Sequence, residues 1–156
     1  MRIRRARETE ATVLSELALS AKQVWGYSLV DIERWRSQLI ISAEDITSKP
    51  TFIAEAENVV VGFYLLVPAA RAWELDHLWV SPQYIRRGVG RALLAHASDT
   101  ARISGASSIT IDADPNAESF YVACGAIRQG VIAAPIAGYP DRIRPQLVLK
   151  IENQPA

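Results

Sequence analysis

The sequence predicts an α/β protein of the α+β kind: a mixed, mostly antiparallel central sheet of about seven strands with helices on both faces. Three observations carry this. Apolar residues fill three closely spaced runs, 51–56, 59–67 and 73–80, separated by short breaks, as in an antiparallel meander. The last run is followed by a helical stretch and a short strand near 109–111, a parallel crossover unit. The chain has 156 residues, 49% of them apolar, which suits one domain, 1–156, with one substantial core.

Taken in order, Ile3 to Ala6 can form a first strand. Thr9 is placed to cap a helix running to about Val24, and Leu14, Leu17, Ala18, Ala21 and Trp25 recur on one face of it. Gly26 is placed to end it. Ile32, Trp35 and Leu39 predict a second amphipathic helix, from about Asp31 to Ser42, and Lys49-Pro50 breaks the pattern. Strands 51–56 and 59–67 meet at Glu57-Asn58 in a tight hairpin, with Gly62 as a candidate bulge and Pro68 as the stop. After strand 73–80, Val89, Leu93, Ala97 and Ala101 form the buried face of a helix that stops near Gly105. Pro115 and Asn116 open a helix through Cys124, and two strands, 126–133 and 145–151, close the chain. Segment 134–144, with Pro135, Gly138, Tyr139 and Pro140, reads as a loop, either one wall of a substrate pocket or a plain connection.

Charge narrows the function classes. Seventeen basic residues balance seventeen acidic ones, which argues against a general nucleic-acid or membrane-surface partner. The basic start, Met1-Arg2-Ile3-Arg4-Arg5, is followed by no apolar run or cleavage pattern and reads as an edge strand with solvated arginines. No apolar run approaches the roughly 18 residues that a membrane helix requires. Cys124 is the only cysteine, so no intrachain disulfide is expected and a cytoplasmic setting is the simplest. At helical spacing from Phe120, it reads as a small core residue. No cluster has metal-ligand spacing, and no metal is expected.

The chain is organised around the stretch from Val80 to Leu94, where a strand meets a helix through a turn holding Arg86, Arg87, Gly88 and Gly90, with Arg91 just beyond. Glycines let backbone N–H groups approach a ligand, and a helix N-terminus favours negative charge, so the segment suits a phosphate group. On its own, a glycine turn that merely starts a helix fits equally well. The Walker pattern does not fit, because Arg91-Ala92 stands where Lys-Ser/Thr is needed. The dinucleotide fingerprint does not fit either, because Leu93 stands at its third glycine.

Leu78-Trp79-Val80 followed by Arg86-Arg87-Gly88-Val89-Gly90-Arg91-Ala92-Leu93-Leu94 resembles the acyl-CoA pyrophosphate motif of the GNAT superfamily of N-acetyltransferases, usually Gln/Arg-x-x-Gly-x-Gly/Ala. Ile85 departs from its first position. Asp114-Pro115-Asn116-Ala117-Glu118-Ser119-Phe120-Tyr121, then Gly125-Ala126, resembles the family's second cofactor segment. Order and separation also agree. The resemblance covers residues 50–150 well and the first 50 loosely. It implies acetyl-CoA as acyl donor, its pyrophosphate on the backbone of Arg86 to Arg91, and two central parallel strands that splay. The pantetheine arm would lie in that gap, pairing with the backbone of Leu78 and Val80 like an added strand. Asn116 would bond a pantetheine amide, cap the helix, or both.

Acetyl transfer to an amine needs a base, because an ordinary amine of pKa about 10.4 is mostly charged at neutral pH. It also benefits from a proton donor to the departing thiolate. Tyr121 stands where the family's catalytic tyrosine stands and suits the donor role, against the alternative of a core aromatic beside Phe120. Glu74 matches a glutamate that some family members use as base. On a regular strand Asp76 shares its side and His77 lies opposite; either residue, or a water chain, is an alternative. Trp25, Tyr27 and Trp79 are candidates for the acceptor side, and His96, mid-helix, reads as a surface or packing residue rather than a ligand. The expected function is direct attack of a primary amine, on a small molecule or a protein, within a ternary complex. The alternative is a non-catalytic acyl-CoA-binding module. A homodimer through the closing strands stays open.

Overall fold

The computed structural model describes residues 1–151. It contains one seven-stranded sheet built from β1 (Arg2–Arg5), β2 (Thr51–Ala56), β3 (Val59–Val67), β4 (Ala72–Val80), β5 (Ser108–Asp112), β6 (Ile127–Ala133) and β7 (Ile143–Lys150), in the order β1-β2-β3-β4-β5-β7-β6. Every neighbouring pair is antiparallel except β4–β5, so the expected fold class is the one observed. Five helices surround the sheet: α1 (Ala11–Gln23), α2 (Leu29–Trp35), α3 (Ala43–Ser48), α4 (Val89–Ile103) and α5 (Glu118–Ala123). On one face, Leu93, Ala97 and Ala101 of α4 pack with Val61, Tyr64 and Leu66. On the other, Leu14, Leu17 and Ala18 of α1 pack with Ile53, Phe63 and Leu65. The last five residues of the expected domain lie outside the described residues.

The first fifty residues depart from the sequence reading. Thr9 does not cap α1; a 3-10 turn over Glu8–Glu10 precedes the helix, and the Glu10 carboxylate accepts the Arg7 N–H at 2.8 Å. The second helix is shorter than 31–42. Ser28 caps it by accepting the Asp31 N–H at 3.1 Å, the chain tightens into a 3-10 turn over Arg36–Leu39, and Ile40 is extended. Leu39 and Ile41 are both buried, and alternate burial requires extended backbone between them. Ser42 then starts α3 with a capping box, its hydroxyl taking the Asp45 N–H while the Asp45 carboxylate takes the Ser42 N–H, both at 3.0 Å.

Downstream the hairpin forms as expected, with Glu57 and Asn58 both at positive φ. A bulge falls beside Gly62: Glu55 faces Val60 and Ala54 faces Gly62, leaving Val61 over. Gly62 also admits α4, since a Cβ there would lie 2.9 Å from both Leu93 Cδ1 and the Trp79 carbonyl.

A second bulge decides the site. Leu66 faces Leu75 and Leu65 faces His77, so Asp76 is the extra residue in β4. Leu75 and Leu78, three apart, therefore both face the α4 core, while His77 stacks on Phe63 on the α1 side. A regular strand would have put His77 opposite Glu74; the bulge puts both on one side. The parallel pairing of β4 with β5 covers only Ala72 to Glu74 against Ser108 to Thr110. Beyond it β4 stays with β3 and β5 with β7, so the two central strands splay.

Candidate active site

The turn that follows the splayed end of β4 is held by the Ser81 N–H on the Val61 carbonyl, 2.8 Å, and by a 3-10 turn over Pro82–Tyr84. Arg86 and Gly88 both take positive φ, +61° and +82°. Gly88 stands at the N-cap of α4, and the Ala92 N–H reaches its carbonyl at 3.0 Å. The N–H groups of Val89, Gly90 and Arg91 have no carbonyl ahead of them in the helix and are left for another acceptor. The two glycines do different work. A Cβ on Gly88 would meet open space, so its need is conformational. A Cβ on Gly90 would lie 3.2 Å from Phe120 Cζ, so its need is room.

A cavity of about 590 Å³ runs from this turn into the splay. Leu78, Trp79 and Val80 line it from β4; Ile85, Arg86, Gly88, Gly90 and Arg91 from the turn; Asn116, Phe120 and Tyr121 from the second segment. Two residues of the expected set stand outside. The Arg87 guanidinium lies over the Tyr84 ring, 5.2 Å from its centroid, and the Val89 side chain is buried in the core. What these two can offer a ligand of the turn is backbone N–H. Arg86, Arg87 and Arg91 have no acidic partner among the described residues.

Tyr121 is buried, joins the α4-side core and lines the cavity, with Phe120 edge-on at 5.2 Å between centroids. Its hydroxyl has no hydrogen-bond partner in the protein among the described residues and is open to the cavity rather than enclosed; burial of the ring, with Cys124 and Asp114 adding, pushes its pKa up. At neutral pH it is a phenol with a proton to give.

Glu74 does not line the same cavity. It lines a neighbouring one of about 480 Å³ with Asp76 and His77, and Trp79 borders both. Burial raises the Glu74 pKa, helped by the like charges of Asp76 and Asp112. His77 goes the other way: burial lowers its pKa, and its Nδ1 accepts the Trp79 indole N–H at 3.0 Å. Its Nε2 lies 3.8 Å from the Asp76 carboxylate. Of the segment 134–144, Ile136, Arg142 and Arg144 line this second cavity.

The sequence reading missed a cluster centred on Asp114. This carboxylate is the N-cap of the turn before α5, taking the Asn116 N–H at 2.8 Å, so Asn116 itself is not the cap. Lys22 Nζ (3.1 Å), the Tyr27 hydroxyl (2.8 Å) and Arg142 Nη2 (3.4 Å) converge on it. Asn116 Nδ2 donates both to Asp114, at 3.0 Å, and to the Tyr27 oxygen, at 3.1 Å. Burial works to raise the Asp114 pKa, but the Asn116 N–H, Lys22 and Tyr27 outweigh it and hold it low. Lys22 is lowered by burial, and by Arg142 and Arg144, against the pull of Asp114. Lys22 and Arg142 lie 28 or more residues from Asp114 in sequence; only the Asp-Pro step was a local signal.

Of the other candidates, Trp25 lines the first cavity and meets Trp79 at 6.0 Å between ring centroids. His96 packs on Phe52 and takes part in a 2.6 Å hydrogen bond with the Tyr64 hydroxyl, away from both cavities. Cys124 is a half-buried free thiol at the end of α5. Among the described residues no helix is long and apolar enough to cross a membrane.

The model of the Acetyltransferase (GNAT) family matches residues 13–126. No curated protein matches the chain. Among solved structures, the chain is similar to the PaiA N-acetyltransferase of Thermoplasma acidophilum in complex with coenzyme A, with 22% identity, a TM-score of 0.77, and 96% of this chain and 98% of that one covered. It is similar to YncA of Salmonella typhimurium, solved with its cofactor acetyl-CoA, with 19% identity, a TM-score of 0.72, and 100% and 96% covered. It is also similar to the ribosomal-protein-S18-alanine N-acetyltransferase of Escherichia coli, with 17% identity, a TM-score of 0.73, and 99% and 96% covered.

Proposed function

The chain belongs to the GNAT acetyltransferase family, and on that premise we propose that it is an N-acetyltransferase that moves an acetyl group from acetyl-CoA to a primary amine by direct attack in a ternary complex. The observation that supports this best is a pair of cavities that share Trp79 as a wall, one with the open helix start and Tyr121, the other with Glu74. Coenzyme A complexes of similar folds support the donor.

The backbone N–H groups from Arg86 to Arg91 would hold the pyrophosphate, with Arg86 and Arg91 adding charge. The backbone of Leu78 and Val80, left without a parallel partner by the splay, would pair with the pantetheine arm. Asn116, Phe120 and Trp79 would border that arm. Glu74 would take the proton of the incoming amine, and its raised pKa brings it nearer the working pH of a general base. As the new N–C bond forms and the C–S bond breaks, the Tyr121 hydroxyl would give its proton to the departing sulfur.

The test is titration with coenzyme A, followed by thiol release from acetyl-CoA over a panel of primary amines. Saturable binding with amine-dependent thiol release is expected. Binding without turnover on any amine would make the protein an acyl-CoA-binding module; no binding would remove the proposal.

A further inference from the structure

We infer that the acceptor carries a carboxylate beside its amine, so that the second cavity takes a zwitterion of the free amino acid class; this rests on the transferase reading above. The juxtaposition that carries it is a single cavity of about 480 Å³ with two carboxylates of β4, Glu74 and Asp76, on one side and two cations that share a single carboxylate, Lys22 and Arg142, on the other. From β4 come Glu74 and Asp76. Beside them on the strand stands His77, its Nε2 3.8 Å from Asp76 and its Nδ1 already occupied by the Trp79 indole N–H. Both carboxylates are open to the cavity and form no ion pair with a lysine or arginine among the described residues.

From α1 and from the loop after β6 come Lys22 and Arg142, which share one carboxylate, Asp114, at 3.1 and 3.4 Å. All three side chains are nearly enclosed, 14%, 9% and 6% exposed in that order. Two buried cations on one anion leave one positive charge without an answer, in surroundings where water screens it poorly. Arg34, also lining the cavity, has no acidic partner among the described residues. Arg144 and Asp112 neutralise each other at 3.0 Å and change nothing in this count. The cations are also held in place: Lys22 Nζ lies 4.5 Å from the Trp35 ring centroid and the Arg142 guanidinium 5.1 Å. A ligand with an ammonium group toward Glu74 and Asp76 and a carboxylate toward Lys22 and Arg142 answers both excesses. A polyamine of similar length sets a second positive charge against Lys22, and an amide leaves the surplus charge unmet.

The experiment measures acetyl transfer to free amino acids, to their carboxamides and to the corresponding decarboxylated amines, with spermidine included. The free acids should exceed their amides in kcat/KM by at least about tenfold, the effect of one charge-assisted hydrogen bond. Lys22→Gln keeps a donor for Asp114 but removes the surplus charge, and should pull the acid-to-amide ratio toward one. Damage to the fold alone would lower both acceptors and leave the ratio in place. Amides, simple amines or spermidine matching or exceeding the free acids would overturn the inference and leave the transferase reading standing. Absence of transfer to every member of the set would overturn both.

Discussion

Trp79 and His77 face the same side of the sheet, and the indole Nε1–H of Trp79 is bonded to Nδ1 of His77 at 3.0 Å. That contact fixes the imidazole: Nδ1 must be the bare nitrogen and Nε2 the protonated one. A histidine so bound and buried has no lone pair to offer an incoming amine, and the proposed base on this stretch of β4 is the carboxylate of Glu74.

The pH dependence of turnover follows. Glu74 acts as a base only when ionised, so the rate should fall as pH drops through its raised pKa. Asp76→Asn removes a like charge and should move that acid limb to lower pH. Glu74→Gln should abolish the limb and lower kcat by about 10²–10⁴-fold. An acid limb left in place by Glu74→Gln would reassign the base.

Tyr121→Phe should leave the melting temperature and coenzyme A affinity nearly unchanged, because the hydroxyl bonds no protein group among the described residues and the ring stays packed. Turnover should fall by about 10²–10⁴-fold, in kcat more than in KM, because proton donation matters as the C–S bond breaks. A variant with near-normal kcat would sink the assignment.

The two turn glycines should fail differently. Gly88→Ala forces a side chain into left-handed backbone at a cost of about 1–2 kcal/mol and should weaken coenzyme A binding whatever its neighbours are. Gly90→Ala presses on the Phe120 ring, so Phe120→Leu in the same chain should recover part of the lost affinity. Calorimetric titration of the two single variants and the two double variants checks this. Equal rescue of both would contradict the separate roles.

Asp114 should make the fold sensitive to acid. Its pKa is lowered in the folded protein, so its stabilisation is present above the unfolded value of about 3.9 and is lost as pH falls through the folded value. Asp114→Asn leaves Lys22 and Arg142 buried without a counter-charge and should cost about 3 kcal/mol at pH 7. The gap between wild type and variant in denaturant melts should close toward low pH; a gap independent of pH would point to packing instead.

What could be read from the sequence follows contact range. Strands 51–56, 59–67 and 73–80, the α4 face and the turn at Arg86 to Gly90 rest on periodicity and local turn chemistry, and they stand where expected. The break at Ile40 was hidden because Ile32, Trp35 and Leu39 keep helical spacing, and only the burial of Ile41 beside Leu39 shows that the chain straightens. The Ser42–Asp45 capping box is a local signal that marks the start of α3. The bulge at Asp76 was not legible, since it depends on register against β3, and it alone moves His77 to the side of Glu74. The Asp114 cluster joins α1, the second segment and the late loop, which no local pattern connects.

The short seam between β4 and β5 also bears on how the molecule comes apart. Three register pairs join a leaf of β1 to β4 to a leaf of β5, β7 and β6, with α4 packed against β3, β4 and β5 across the join. Each leaf is zipped along its own length, whereas the sheet hydrogen bonding across the join is short and the shared core under α4 holds the leaves together. A molecule lodged in the gap would act as a splint. Amide hydrogen exchange at Leu78, Val80 and along the open edge of β5 is expected to slow when the gap is filled; unchanged exchange there would count against a ligand in the gap.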